Sequence, residues 1–228
     1  MLKHKSTRLA VILAFCFAEF TLGVLVQVTA GNTLIWVSYA TVLLACAFVA
    51  LCFEPTPRWA LTQAALLCTV CADYFLVVRG AEQQFLAMLF FSITQFAYAA
   101  RLFVEDKKPT CRIVHLAARV GFPLLIITVT LAVLGGGADR VALISMFYFA
   151  NLTLNVVFAF LQGKKMRLFA IGLALFLCCD VFIGLSLIEG WLPLTKGGIL
   201  YALAHPGFNA AWVFYVPSQA LLSLSLLP

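Results

Sequence analysis

Three carboxylates stand inside otherwise apolar stretches of this chain: Glu19, Asp73 and Asp180. A charge near the centre of a bilayer is costly, so an ionisable side chain held there marks a functional site by default. Amide and phenol side chains accompany them at comparable levels. Gln95 and Tyr98 are three residues apart, as are Tyr148 and Asn151, with Asn155 one turn further on. Tyr215 and Gln219 are four apart, as are His115 and Arg119. Residues three or four apart share one helix face, so each pair points one way. The spacing predicts a polar cavity between helices. A structural reading competes with it: such side chains often only hydrogen-bond a neighbouring helix. A carboxylate could equally be held in a buried ion pair, for example Asp73 or Glu19 with Arg119.

The elements that must position these groups are membrane helices. The 228 residues are 64% hydrophobic and only 11% charged, against about 25% charged in a soluble domain. That excludes a soluble globule and intrinsic disorder. The net charge of +6 does not indicate nucleic acid, because the cations lie in short clusters between apolar runs. Backbone groups in lipid must be satisfied internally, so each long apolar run reads as one helix. Eight runs stand out, near 8–29, 33–53, 59–78, 83–104, 113–134, 141–162, 167–188 and 209–227. The expected fold is all-α, a polytopic membrane protein with eight transmembrane helices in a single domain over 1–228. Short links make consecutive helices antiparallel neighbours. The longer link, Glu189 to Gly207, could re-enter the membrane or lie at its interface.

Orientation follows from Lys and Arg. With the N-terminus in the cytoplasm, the inner side holds Lys3, Lys5, Arg8, Arg58, Arg101, Lys107, Lys108, Arg112, Arg119, Lys164, Lys165 and Arg167. The outer side holds only Arg79, Arg140 and Lys196. The bias predicts both termini inside. The first run, after Lys3-His4-Lys5, has features of a secretory signal, but Glu19 and its length favour a retained helix. No cysteine falls in an outer loop, so no disulfide framework is expected. Cys68 and Cys71 form a C-x-x-C inside a helix and read as packing residues. His4, His115 and His205 do not suggest a zinc site; no metal and no cofactor are expected.

A short internal match joins the third and seventh runs. Cys71-Ala72-Asp73-Tyr74-Phe75-Leu76 compares with Cys178-Cys179-Asp180-Val181-Phe182-Ile183. Both sit about 20 Å into helices of the same direction. The next helix of each half bears Tyr and Gln. The offset of four helices suggests a 4+4 parallel repeat about an axis along the membrane normal, with Asp73 and Asp180 across a shared cavity.

At these residues the chain resembles the YhhN-type membrane family, whose characterised members are lysoplasmalogenases. That family carries Gly-Asp in its third helix, His-x-x-Tyr in its fourth, Ser-Asp in its seventh and a Tyr-to-Gln signature in its eighth. Asp73, Gln95-Phe96-Ala97-Tyr98, Cys179-Asp180 and Tyr215-Val216-Pro217-Ser218-Gln219 occupy those places. Ala72, Gln95 and Cys179 depart from the pattern, in place of Gly, His and Ser.

The resemblance implies hydrolysis of a vinyl ether in a lysophospholipid within a bacterial cytoplasmic membrane. Such a bond breaks by proton transfer to its β-carbon, giving an oxocarbenium ion that water captures. A protonated carboxyl beside an ionised one suits that task, as in glycoside hydrolysis. Asp73 and Asp180 are the expected catalytic pair, with no assignment of which is the acid. Gln95, Tyr98, Asn151, Tyr215 and Gln219 are expected to bind substrate or orient water. Two other classes fit the same residues: a proton-coupled transporter of a small or lipid-like solute, and a non-catalytic lipid-binding protein in which Gln95 marks lost catalysis.

Overall fold

The computed structural model describes residues 5–106, 109–188 and 194–227. Among these residues every regular element is helical. The long helices are α1 (Lys5–Val28), α2 (Gly31–Cys52), α3 (Pro57–Asp73), α4 (Gln84–Glu105), α5 (Pro109–Leu134), α6 (Arg140–Leu161) and α7 (Arg167–Ile188). A short α8 (Ile199–Ala204) and α9 (Ala210–Leu224) follow. Among the described residues seven helices are long and apolar enough to cross a membrane, and Ala210–Leu224 is a shorter apolar one. This is a polytopic all-α membrane protein. The eighth apolar run therefore folds as a helix of 15 residues, about 22 Å long at 1.5 Å per residue.

Local chemistry sets the boundaries. Pro57 opens α3, and the Thr56 side chain accepts from the Trp59 amide at 3.1 Å. Asp139 caps α6 by accepting from the Ala142 amide at 2.7 Å. Gly80 and Gly163 turn the chain with φ of 80° and 78°, a region that L side chains avoid. After Asp73 the α3 backbone widens into a π-helical turn, Tyr74–Val78, closed by the Arg79 amide on the Tyr74 carbonyl at 3.0 Å.

Polar ties fix which helix ends share a face. Near the end where α1 begins, Glu105 meets Lys165 at 2.5 Å and Arg58 at 3.4 Å. Beside them the buried Arg101 donates to Thr62 at 3.0 Å and to the Ser225 hydroxyl at 2.8 Å. Its guanidinium also lies over the Phe169 ring at 4.2 Å. At the far face, Gln27 of α1 and Asn209 exchange hydrogen bonds at 3.1 Å, and Asn209 also donates to the Val26 carbonyl at 2.9 Å. These bonds anchor the start of the short α9. The predicted assignment of faces to cytoplasm and exterior rests in part on Lys3, Lys107 and Lys108, which lie outside the described residues, as does Trp191 in the long link. Within that link α8 packs on α7.

Packing recurs at an offset of four long helices. α3 packs on α4 as α7 packs on α9, and α4 on α6 as α9 on α2. The C-x-D-x-F match has a structural counterpart. Phe75 stacks on Phe90 of α4 at 5.7 Å, and Phe182 stacks on Phe214 of α9 at 5.4 Å. In both cases the rings are nearly parallel, at 13° and 12°. One departure from the symmetry matters for the site. α1 packs on both α2 and α9, whereas α5 packs extensively only on α6.

Candidate functional site

Asp73 and Asp180 line one cavity in the far half of the bundle, with a volume of about 780 Å³. That is within the range of about 300–1,000 Å³ found for small-molecule sites. Its walls are mainly apolar and come from α3, α4, α5, α6, α7 and α9, with Leu76, Met88, Val129, Phe149, Val181 and Trp212 among them. The two aspartates are the acidic side chains lining it.

Each carboxylate is held by a phenol from another helix. The Tyr215 hydroxyl of α9 donates to Asp73 Oδ2. The Tyr148 hydroxyl of α6 donates to Asp180 Oδ2. Hydrogen bonds with one ionised partner are the strong class, so each pairing fixes the carboxylate's rotamer. The phenols are themselves braced by rings. Phe91 packs against Tyr148 at 5.5 Å, and Phe176 against Tyr215 at 5.6 Å. Phe91 and Phe176 touch each other edge to face at 5.9 Å, and Trp212 meets Tyr215 at 5.2 Å. Asp73 is buried and closes the regular part of α3; the π-helical turn begins at the next residue. Such turns concentrate at functional sites because they shift side chains around the axis.

The remaining expected site residues lie one to two turns deeper, toward the near face. Gln95, Tyr98, Asn151 and Gln219 are buried and do not line the cavity. Asn155 donates to both the backbone and the side-chain oxygen of Gln95 at 2.9 Å. Arg119 donates to Asn151 at 3.0 Å, to Asn155, and to His115 at 3.1 Å. His115 is sandwiched between the rings of Phe103 and Phe158, at 4.2 and 3.8 Å. Arg119 is thus held by amides and an imidazole rather than by Asp73 or Glu19. The Tyr98 hydroxyl, the Gln95 amide nitrogen and both side-chain polar atoms of Gln219 have no hydrogen-bond partner.

Glu19 stays apart from this arrangement. It is buried on α1, and neither of its oxygens accepts a hydrogen bond. Tyr148 lines the cavity and holds Asp180, and the expected binding set does not include it. Its level and face were visible in its spacing to Asn151, but its pairing with Asp180 depends on the register of α6 against α7. Among the described residues no group of three or more His, Cys, Asp or Glu side chains is placed to hold a metal ion.

The cavity is open on one side. Val129, Thr130, Val133 and Leu134 of α5 line it opposite Val181, Leu185 and Leu187 of α7. These two helices do not pack extensively on each other. The α5 residues Val129 and Val133, like Val181 and Leu187 of α7, line the cavity and are exposed. In a membrane exposed apolar side chains meet hydrocarbon, so an opening between these two helices faces lipid chains.

A profile described as the YhhN family matches residues 34–226 of the chain. Comparisons with curated proteins and with solved structures find no match.

Proposed function

The chain belongs to the YhhN family, and from that premise we propose that it is a membrane hydrolase cleaving the vinyl ether bond of a lysophospholipid. The observation supporting this most directly is that two phenol-held carboxylates line one largely apolar cavity with a gap toward lipid. An apolar chain enters such a space without losing hydration. A polar solute would find few partners there besides the aspartates and their tyrosines.

The chemistry needs two carboxyl groups in different states. The protonated one transfers its proton to the β-carbon of the vinyl ether, and the adjacent carbon becomes an oxocarbenium ion. The ionised one stabilises that cation and accepts a proton as water adds to it. The second carboxyl then returns its proton to the glycerol oxygen as the hemiacetal C–O bond breaks, while the first, now ionised, takes the proton of the hemiacetal hydroxyl, releasing an aldehyde and a glycerophospho-alcohol. One water is consumed and each carboxyl is back in its starting state, so the cycle closes without a redox partner. Tyr148 and Tyr215 hold the carboxylates in place during these transfers. Positioning of this kind and acid–base transfer each lower the barrier substantially, the latter by about 10²–10⁴-fold in rate.

Gln95 stands where the family pattern has His, and it sits in the deeper layer bonded to Asn155 rather than at the cavity. In this reading the proton transfers belong to Asp73 and Asp180 alone. The test is aldehyde release from a 1-alkenyl lysophospholipid by the purified protein in detergent. Release by the wild type, lost in Asp73→Asn or Asp180→Asn, is the expected result. No release from folded wild-type protein would end the proposal.

A further inference from the structure

The far rim of the cavity has a cation beside it. Arg140 begins α6 two residues before Ala142, which lines the cavity. Its guanidinium lies over the ring of Phe85, 5.2 Å from the centroid. The neighbour of Phe85 in the chain, Gln84, lines the cavity from α4. Arg140 is exposed, and among the described residues it forms no salt bridge. Stacking on a ring uses the guanidinium face and leaves its edge donors available.

Depth supplies a ruler. Seven residues separate Gln84 from Phe91 on α4, and seven separate Asp180 from Leu187 on α7. At 1.5 Å per residue the carboxylate level lies about 10 Å below the rim. In a 1-alkenyl lysophospholipid, seven bonds run from the β-carbon of the vinyl ether to phosphorus. Three extended backbone bonds span about 3.5 Å, so seven span about 8 Å. A lipid with its reacting bond at Asp73 and Asp180 therefore brings its phosphate to the level of the rim. Its chain is left to follow the apolar walls toward the gap between α5 and α7.

We infer that Arg140 is the specificity-determining residue that recognises the phosphate of a single-chain lipid lying head-outward in this cavity. The inference rests on the hydrolase reading for the identity of the lipid. A guanidinium makes paired, charge-assisted bonds to phosphate oxygens that a lysine cannot reproduce. The head group beyond the phosphate projects past the rim, so Arg140 selects phosphate over a bare glycerol.

Two readouts test this. The first is the ratio of kcat/KM for a 1-alkenyl lysophosphocholine to that for a 1-alkenylglycerol, which has no phosphate. Arg140→Gln lowers this ratio about tenfold or more, mainly through KM, as expected for loss of a charged hydrogen bond. Arg140→Lys retains part of it. Lys196→Gln, at an exposed cation of the link before α8 that does not line the cavity, leaves it as in the wild type. An unchanged ratio in Arg140→Gln, or an equal fall in Lys196→Gln, would overturn the inference.

The second readout needs no turnover. A non-hydrolysable 1-alkyl lysophosphocholine and the matching 1-alkylglycerol are titrated against the full-length protein, and the Trp212 contribution to the fluorescence is isolated with Trp212→Phe. A fall of about tenfold in the affinity ratio in Arg140→Gln supports phosphate recognition even where no aldehyde is released, in which case only the hydrolase reading fails. Turnover with both ratios unmoved leaves the hydrolase reading standing and removes Arg140. Inorganic phosphate added alone leaves the Trp212 emission unaltered. A saturating response to it, equal in size to the lipid's, would indicate a free-anion site and also overturn the inference.

Discussion

Phe176 lies one helical turn before Asp180 on α7, and its ring packs edge to face on Tyr215, 5.6 Å between centroids. Tyr215 is the phenol that holds Asp73. The helix that bears one carboxylate thus braces the partner of the other. Phe176 also touches Phe91, which braces Tyr148, the partner of Asp180. Four rings therefore join the two carboxylate–phenol pairs into one packed unit. A disturbance at either pair reaches the other through contacts rather than through solvent.

Replacing either carboxylate by its amide removes a proton donor or acceptor while keeping size and shape. Asp73→Asn and Asp180→Asn are each expected to lower kcat for aldehyde release by about 10²-fold or more. Their unfolding temperatures in detergent should stay close to wild type. Full activity in both variants would remove the acid–base assignment.

Tyr148→Phe and Tyr215→Phe each delete one hydroxyl and keep the ring contacts. A hydrogen bond to a charged group contributes about 1.5–3 kcal/mol, so a loss of roughly tenfold to a hundredfold in kcat/KM is expected. Steady-state kinetics on the two single variants and the double variant check this. Because the ring unit links the pairs, the double variant should depart from the product of the singles.

The deeper layer has a structural signature. Arg119 donates to His115, Asn151 and Asn155, and Asn155 in turn donates to both oxygens of Gln95. Asn155→Leu strands part of the Arg119 guanidinium and the Gln95 oxygen. The expected cost is about 1–3 kcal/mol of stability, read as a lower unfolding temperature in detergent. Asn155→Asp, which restores an acceptor for Arg119, should recover part of that loss.

Two glycines on α7 respond oppositely to a side chain. A Cβ at Gly172 meets the Leu222 side chain at 3.0 Å and its backbone nitrogen at 3.1 Å. Gly172→Val is expected to part α7 from α9 and to destabilise the fold by about 1–3 kcal/mol. At Gly184 nothing lies within 4 Å of the added atom, and Gly184 lines the cavity. Gly184→Leu should fold normally and raise KM for long-chain substrates more than for short-chain ones. Thermal unfolding and a chain-length series separate the two cases.

The helices were legible from hydropathy because lipid demands continuous apolar runs, and each of the eight runs contains a helix. Asp73 and Asp180 were legible because carboxylates are rare in such runs. The depth shared by both was legible from helix rise alone. What one sequence does not display is register between helices. Tyr148 was seen as a polar neighbour of Asn151, yet only the packing of α6 on α7 sets it on Asp180. The separation of Gln95, Tyr98, Asn151 and Gln219 from the cavity also depends on a difference of one to two turns. The π-helical turn after Asp73 has no pattern of its own in Tyr74-Phe75-Leu76-Val77-Val78.

Helix α5 is clasped at one end and unsupported on one flank at the other. Arg112 donates to the carbonyls of Phe103 and Asp106 at 3.2 and 2.9 Å, and Arg119 fastens the next turns to α6. Beyond Pro123 the helix borders the cavity and packs extensively only on α6. Mechanically it is a cantilever with its free flank in the hydrocarbon. Sideways pressure from the surrounding acyl chains bears directly on the wall of the chamber, so the bilayer itself becomes a determinant of how wide the site stands.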